Sequence, residues 1–283
     1  MPPSATRQFK ILLAAGLFLF FAGCLLLIPF PGHKSLLILR AFGLLLLAIA
    51  GLRNRSLTFW IFFAMVAGFE LGLDSPAFAV QLRVFSDIFL RLIKVIVAPL
   101  ILGTLITGIA GHGDLRKVGR IGWKSLLYFE VVTTIALFLG VAAINLSKAG
   151  EGLVIPVSSA AATPPEVTPL RWADFVLHIF PENIVKSVAE NQILQVAVFA
   201  ILFAIALTRV PEPIQKPILN FAESLTQVMF RFTNLVMYFA PIGVGAAMAY
   251  TVGHMGIAVL LPLGKLLFTA YGALLSFLLC VLL

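Results

Sequence analysis

The chain has 283 residues, of which 61% are hydrophobic and 11% are charged, with a formal net charge of +8. Soluble domains are about 45–50% apolar and about 25% charged, so the composition excludes an ordinary soluble protein and predicts an integral membrane protein. The basic balance does not indicate nucleic-acid binding, because the lysines and arginines fall in short clusters between apolar runs. That distribution is typical of proteins that are oriented in a lipid bilayer, which is the first expected partner.

Apolar runs long enough to cross a bilayer, about 20 residues each, recur along the chain. In order, they are Ile11–Phe30, Leu36–Leu52, Leu57–Leu73, Phe85–Ala110, Ile121–Asn145, a broken pair at Phe175–Val188 and Ile193–Leu207, then Ile214–Tyr250 and Ile257–Leu283. The first run is not a cleavable signal peptide, since it is long for one and a second run follows without a cleavage motif. The pattern predicts an all-α polytopic membrane protein.

The positions of the basic residues predict the orientation of these spans. If the spans alternate, one side of the membrane receives Arg7, Lys10, Arg53, Arg55, Arg116, Lys117, Arg120, Lys124, Arg209 and Lys216. The other side receives the long loop Ser147–Trp172, which mixes acidic and basic residues. We therefore expect a multi-pass protein of the inner (plasma) membrane with a cytoplasmic N-terminus.

The fourth span begins with three charges, Asp87, Arg91 and Lys94, spaced to share one helix face. The spacing predicts an Asp87–Arg91 ion pair and basic stems that reach toward the lipid headgroups. Pro99 predicts a kink in mid-span. A following group of small residues predicts close approach of another helix; its members are Gly103, Thr104, Thr107, Gly108 and Ala110.

Four long motifs carry a resemblance to a known family. They are "FLRLIKVIVAPLILGTLITGIAGHGDLRKVGRIG", "LLYFEVVTTIALFLG", "ENQILQVAVFAILFAIAL" and "FRFTNLVMYFAPIGVGAAMAYTVG", in this order. From about Leu57 to Leu283 the chain resembles the dicarboxylate/amino acid:cation (sodium or proton) symporter family. We accordingly divide it into residues 1–56, two extra N-terminal transmembrane spans, and residues 57–283, the N-terminal part of the symporter domain.

The resemblance implies a homotrimer of elevator type, in which each protomer has a scaffold and a moving transport part. The chain resembles the scaffold-type half, together with two pieces of the transport part at Ile121–Asn145 and Ile257–Leu283. Pro241, Gly243 and Gly245 suggest a kinked scaffold helix with a smooth surface along which a transport part could slide.

The activity that the resemblance implies is symport of glutamate, aspartate or C4-dicarboxylates with protons or sodium. The family's re-entrant hairpins and last amphipathic helix, which hold the substrate, are not found in this sequence. The chain is therefore expected to be a C-terminally truncated member, inactive alone, whose substrate-binding residues are unknown. The alternative is a non-transporting membrane assembly protein that uses the trimer scaffold.

Glu130, Thr133 and Thr134 are the candidate ion-coupling residues. A carboxylate inside a membrane span is a functional hypothesis by default, although Glu130 could equally pair with Lys124 or face an aqueous cavity. Thr133 matches one oxygen ligand of the family's cation site on this helix, whereas Phe129 and Val132 replace the others. Because a hard cation needs several oxygen ligands, this departure favours proton over sodium coupling.

Asn191, Gln192 and Gln195 open the run "ILQVAVFAILFAIAL" and are expected to make trimer contacts, because amides hydrogen-bond between helices in lipid. Lys265 stands alone in its span. The four histidines, His33, His112, His178 and His254, show no ligand spacing, so we expect no metal site and no cofactor. Cys24 and Cys280 are interpreted as small apolar residues. No catalytic motif is present, which indicates that the protein is not an enzyme.

Overall fold

The computed structural model describes residues 3–27, 34–54, 56–111, 115–150 and 172–282, and these are almost entirely helical. No strand occurs in these ranges, which confirms the all-α prediction. The helices are α1 Pro3–Leu27, α2 Lys34–Asn54, α3 Leu57–Asp74, α4 Pro76–Gln81, α5 Arg83–Ala110, α6 Leu115–Ser147, α7 Trp172–Leu177, α8 Ile184–Ala189, α9 Ile193–Leu207, α10 Glu212–Met237, α11 Ala240–Met255 and α12 Leu260–Phe277. The predictions on the outer loop and on the Arg116 and Lys117 side chains lie outside the described residues.

Within the described ranges, four helical segments are long and apolar enough to cross a membrane. They are Leu57–Asp74, Pro76–Ala110, Gly119–Ser147 and Ile257–Val281, and α10 with α11 adds a fifth if the pair is one span. The apolar stretch Ile11–Cys24 within α1 is shorter. These lengths support a membrane protein.

Two details differ from the sequence prediction. The predicted span Ile214–Tyr250 is two helices, because the chain breaks at Tyr238 and Phe239 before Pro241, a residue suited to the first turn of a new helix. The region Phe175–Val188 forms two six-residue helices, α7 and α8. Helix α5 continues through Pro99, and the kink at this residue stays a prediction.

The predicted Asp87–Arg91 ion pair is wrong. Asp87 Oδ2 instead lies 3.5 Å from Nε of Arg83, one turn earlier on the same helix. Arg83 is held there by a second contact, because its guanidinium stacks over the Tyr250 ring at 5.2 Å from the centroid. The Tyr250 ring thus holds Arg83 in a position where it can form an ion pair with the Asp87 carboxylate.

The chain divides into two compact units, of which the first contains Met1–Leu90 and Val236–Gly256. In this unit α1 and α2 form an antiparallel pair, which we call the N-terminal hairpin. Gly16 and Gly43 allow the two backbones to approach, since a Cβ at Gly43 would lie 2.9 Å from the Gly16 carbonyl oxygen. Phe20, Leu47 and Val66 then form a buried cluster that joins the hairpin to α3.

The first unit also contains a glycine crossing between α3 and α11. A Cβ at Gly68 would collide with the carbonyl oxygen of Gly245, and a Cβ at Gly72 would lie 2.8 Å from that of Ala249. Gly243 similarly packs against Phe89. The interpretation of Gly243 and Gly245 as a free sliding surface is therefore wrong, because neighbouring residues of the same unit cover both glycines.

The second unit contains Arg91–Leu235 and Ile257–Leu283. Its buried cluster joins α5, α9 and α10 through Ile106, Ala110, Ala200, Ala204, Leu207 and Ala222. Gly103 contacts Thr226 and the Ala222 carbonyl so closely that no Cβ would fit, which confirms the predicted helix approach at this glycine. In the same unit α6 packs against α12.

Candidate functional site

The Glu130 region lies on an exposed helix. No residue in the apolar window of Gly119–Ser147 is buried, and Glu130, Thr133 and Thr134 are all exposed. The Thr133 hydroxyl donates to the Phe129 carbonyl at 2.6 Å, so it is engaged within its own helix. The described residues place no ion-pair partner on the Glu130 carboxylate, and the alternative of a Glu130–Lys124 pair finds no support. Ion coupling through these three residues stays a prediction.

We expect Glu130→Gln to change the free energy of unfolding by no more than about 0.5 kcal/mol, as is usual for exposed positions without a partner. The described structure shows no contact of the carboxylate that the substitution would remove, and the neighbouring side chains of Phe129 and Val131 are exposed as well. Denaturant titration of the purified protein in micelles measures this change. A loss above about 1 kcal/mol would show that Glu130 has a structural partner.

Two of the three predicted amides, Gln192 and Gln195, line a polar cavity of about 360 Å³. Gln195 is engaged at both ends: its Nε2 donates to the His178 carbonyl at 3.0 Å, and its Oε1 accepts from the buried Ser187 hydroxyl at 2.7 Å. Gln192 Nε2 donates to the Glu190 carboxylate at 2.7 Å. Asn191 occupies a left-handed turn, with φ of 54°. These contacts hold α7, α8 and α9 together within one chain, and a trimer contact at these amides stays a prediction.

Lys265 is the lone charge of its span, as the sequence indicates, and it has a hydrogen-bond partner outside that span. Its Nζ lies 3.4 Å from the Lys148 carbonyl oxygen, to which it donates a hydrogen bond. Lys148 follows α6, whereas Lys265 belongs to α12, so the contact ties the two packed helices together.

The most unusual polar group of the described structure is one that the sequence analysis did not single out. Arg40 of α2 is 2% exposed and Glu70 of α3 is 8% exposed, both within apolar helices. Arg40 Nη2 donates to Oδ1 of Asp74 at 3.0 Å, and its Nη1 lies 3.4 Å from Oε2 of Glu70. We call these three residues the Arg40 clamp.

The α3 sequence explains why both carboxylates meet the same guanidinium. Glu70 and Asp74 are four residues apart, so they lie one above the other on one helix face, and Val66 extends this face by another turn. Val66 is buried against Phe20 and Leu47 of the hairpin. The face of α3 that contacts the hairpin is thus apolar toward its middle and acidic toward its end.

Sequence signals for the clamp existed. An arginine and a glutamate each interrupt an apolar run, and such residues are expected to have a partner inside the membrane. Arg40 lies fifteen residues before position 55 and Glu70 fourteen residues after position 56, so an antiparallel α2–α3 arrangement brings them level. Glu130 also interrupts an apolar run, but the structure leaves it exposed.

Comparison with known proteins assigns the chain to a family. The sequence profile described as the sodium:dicarboxylate symporter family matches residues 57–283, which is more than half of the chain. The chain belongs to the sodium:dicarboxylate symporter family. This family consists of transporters rather than enzymes.

Several relatives of this symporter family member carry the name C4-dicarboxylate transport protein. The chain is similar to one from Paraburkholderia phymatum, at 41% identity over 216 residues, covering 74% of this chain and 50% of the relative. Another, from Pseudomonas fluorescens, is 40% identical over 233 residues, covering 81% of this chain and 52% of the relative. The chain thus spans about half the length of the curated relatives that it matches.

The match also locates the Arg40 clamp with respect to the symporter family. Glu70 and Asp74 lie in α3, the first helix inside the matched range, whereas Arg40 lies in α2, which precedes that range. The clamp therefore connects the N-terminal hairpin to the part of the chain that carries the family resemblance.

Proposed function

We propose that this chain provides membrane helices of a secondary symporter for C4-dicarboxylates in the inner (plasma) membrane. The observation that carries the proposal is the match over residues 57–283 together with relatives named for C4-dicarboxylate transport. Glutamate and aspartate are the second substrate class, since they share the two carboxylates. We favour protons over sodium as the coupling ion, because Phe129 and Val132 stand where the resemblance expects oxygen ligands and a hard cation needs several of these.

The described residues supply little that could hold a dicarboxylate inside the membrane. Arg40 is the buried base among them, and two carboxylates already engage it. Arg91, Lys94 and Arg231 are exposed. Because a bound dianion needs cations or helix N-termini aimed at it, we propose that these 283 residues do not bind substrate by themselves.

The 283-residue chain, reconstituted alone in proteoliposomes, is expected to accumulate no labelled succinate or aspartate under an imposed proton or sodium gradient. The physical reason is the lack of a free buried cation in the described structure. The matched control is a chimera in which residues 57–283 replace the corresponding segment of the Paraburkholderia phymatum relative. The chimera is expected to show gradient-dependent uptake of succinate.

The two arms of this experiment separate the possible outcomes. Uptake by the 283-residue chain would show that it contains a substrate site. A chimera that is inserted into the membrane but fails to transport would contradict the symporter proposal and would favour the membrane assembly alternative.

We further propose that the chain assembles as a homotrimer of elevator type, with α9 among the contact helices. Exposed apolar residues Leu194, Ile201 and Leu202 along α9 support this proposal, since they leave a face available to another helix. Mass measurement in mild detergent is expected to give three chains per particle. A monomer under conditions that preserve the trimer of the relative would contradict the proposal.

The orientation with a cytoplasmic N-terminus is also part of the proposal. It rests on the placement of the basic clusters, including Arg53 and Arg120. Reaction of Ser158→Cys with a membrane-impermeant reagent in intact cells is expected, and protection of that position would reverse the orientation.

A further inference from the structure

The Arg40 clamp joins two segments that have different relations to the symporter family. The N-terminal hairpin precedes residues 57–283, whereas the two carboxylates belong to α3. The side chain of Arg40 is 3% exposed and that of Glu70 is 11% exposed, while Asp74, nearer the helix end, is 32% exposed. The guanidinium is thus enclosed between the hairpin and the acidic end of the α3 face.

Apolar packing by itself does little to favour contact of the hairpin with α3 over contact with lipid. Lipid tails are as apolar as leucine side chains, so burying Phe20 and Leu47 against Val66 has no hydrophobic driving force of the kind that operates in water. A buried arginine differs, because a charged side chain inside the hydrocarbon region is costly unless it is paired or reaches the interface. The carboxylates of α3 can pair with the Arg40 charge and lipid tails cannot, so the hairpin is more stable against α3 than against lipid.

The geometry also restricts how the hairpin can sit on α3. Sliding α2 by one turn would move Arg40 about 5.4 Å along the axis, so that it could no longer contact both carboxylates. Arg40 Nε and Nη1 and Glu70 Oε2 are buried without a hydrogen bond in the described structure. Among the described residues, no further polar group therefore lies beside Arg40 to replace the carboxylates if the helix shifted. Close packing adds to this restriction, since a Cβ at Gly51 would lie 2.6 Å from the Phe59 ring.

We propose that the Glu70–Asp74 end of α3 is a docking surface for the N-terminal hairpin and that Arg40 selects it. The hairpin is then a permanent part of the first compact unit, held in a single register, and not a separate membrane anchor. The partner that fits this surface is a helix with one guanidinium at the level of Glu70 and an apolar face beyond it. This interaction is independent of transport and of the proposed substrate.

Cys24 provides a native reporter of docking. It packs in the cluster of Phe20, Leu47 and Val66, at the contact between the hairpin and α3. The sequence contains two cysteines, so Cys280→Ser leaves Cys24 as the single thiol. The measured quantity is the rate at which membrane-permeant N-ethylmaleimide modifies Cys24 in proteoliposomes containing the whole chain.

Arg40→Gln is expected to raise this rate about tenfold or more, because the unpaired carboxylates no longer retain the hairpin. Losing a neighbouring positive charge by itself makes a thiol less reactive, so faster modification can only report exposure. Arg40→Lys keeps the charge and is expected to stay within about threefold of the parent rate. Glu212→Gln, which breaks the exposed 2.7 Å pair with Lys216, is the matched control and should leave the rate unchanged.

A charge exchange keeps the test independent of general misfolding. Arg40→Glu alone is expected to expose Cys24, and Arg40→Glu combined with Glu70→Arg and Asp74→Asn is expected to restore slow modification. The proposal would be overturned if Cys24 in Arg40→Gln were modified at the rate of the parent protein. It would also be overturned if Cys24 were modified equally fast in Arg40→Glu and in the charge-exchanged variant. Either result would mean that apolar packing alone places the hairpin.

Discussion

Replacing Glu70 by alanine and Asp74 by asparagine together is expected to lower the free energy of unfolding by about 3–5 kcal/mol, the usual cost of breaking a buried ion pair on one side. Both substitutions leave Arg40, which is 2% exposed, without an anion in an apolar environment. The protein must then either keep an unpaired cation buried or release part of the hairpin contact. Reversible unfolding in mixed micelles, followed by circular dichroism, measures the loss.

Removing only the more exposed carboxylate should destabilise the protein less than removing both. Asp74→Asn is expected to cost less than the double change, since Asp74 is 32% exposed on its side chain and Glu70 remains to balance the guanidinium. Glu212→Gln serves as the control, because an exposed pair contributes about 0–1 kcal/mol. A double variant that loses less than about 1 kcal/mol would show that water reaches Arg40 and relieves its burial.

Gly68→Ala is the second substitution for which we expect a large effect, a loss of about 1–3 kcal/mol from overpacking. The added Cβ would collide with the carbonyl oxygen of Gly245, which is backbone and cannot rotate away. To accept the methyl group, α3 and α11 must separate along their contact. The change in unfolding free energy is measured under the same micelle conditions.

Gly140→Ala makes the same chemical change in a helix where a Cβ would meet nothing within 4 Å. Alanine favours the helix over glycine by up to about 1 kcal/mol, so this variant is expected to be neutral or slightly more stable. If Gly68→Ala and Gly140→Ala have the same effect, the close crossing of α3 and α11 does not exist as described.

Much of the fold could be predicted because lipid imposes a strong rule on sequence. Inside a bilayer the backbone must satisfy its own hydrogen bonds, so an apolar run of sufficient length becomes a helix whatever it packs against. For this reason the boundaries of α3, α9 and α5 follow closely from the ends of the apolar runs. The break at Tyr238 was harder to place, because a run that continues apolar through Phe239 shows only Pro241 as a signal.

The choice among polar residues could not be made from local pattern. Glu130 and Glu70 look alike in sequence, since each is a carboxylate in an apolar run. Their environments differ because α6 is exposed along its apolar window, whereas α3 is enclosed by the N-terminal hairpin and α11. Burial is a property of neighbouring helices, and the local sequence of either helix does not contain it.

The sequence by itself determined the membrane class, the helical content and the membership of a symporter family, because composition, apolar length and ordered motifs are properties of the chain read in one dimension. Tertiary structure alone decided that Arg83 meets the Tyr250 ring, that Gly245 is covered by α3, and that Arg40 meets Glu70 and Asp74. Each of these depends on which faces of two helices meet, and a shift of one residue rotates a helix face by about 100°. Such rotations leave the apolar pattern of a membrane helix almost unchanged while exchanging every polar contact.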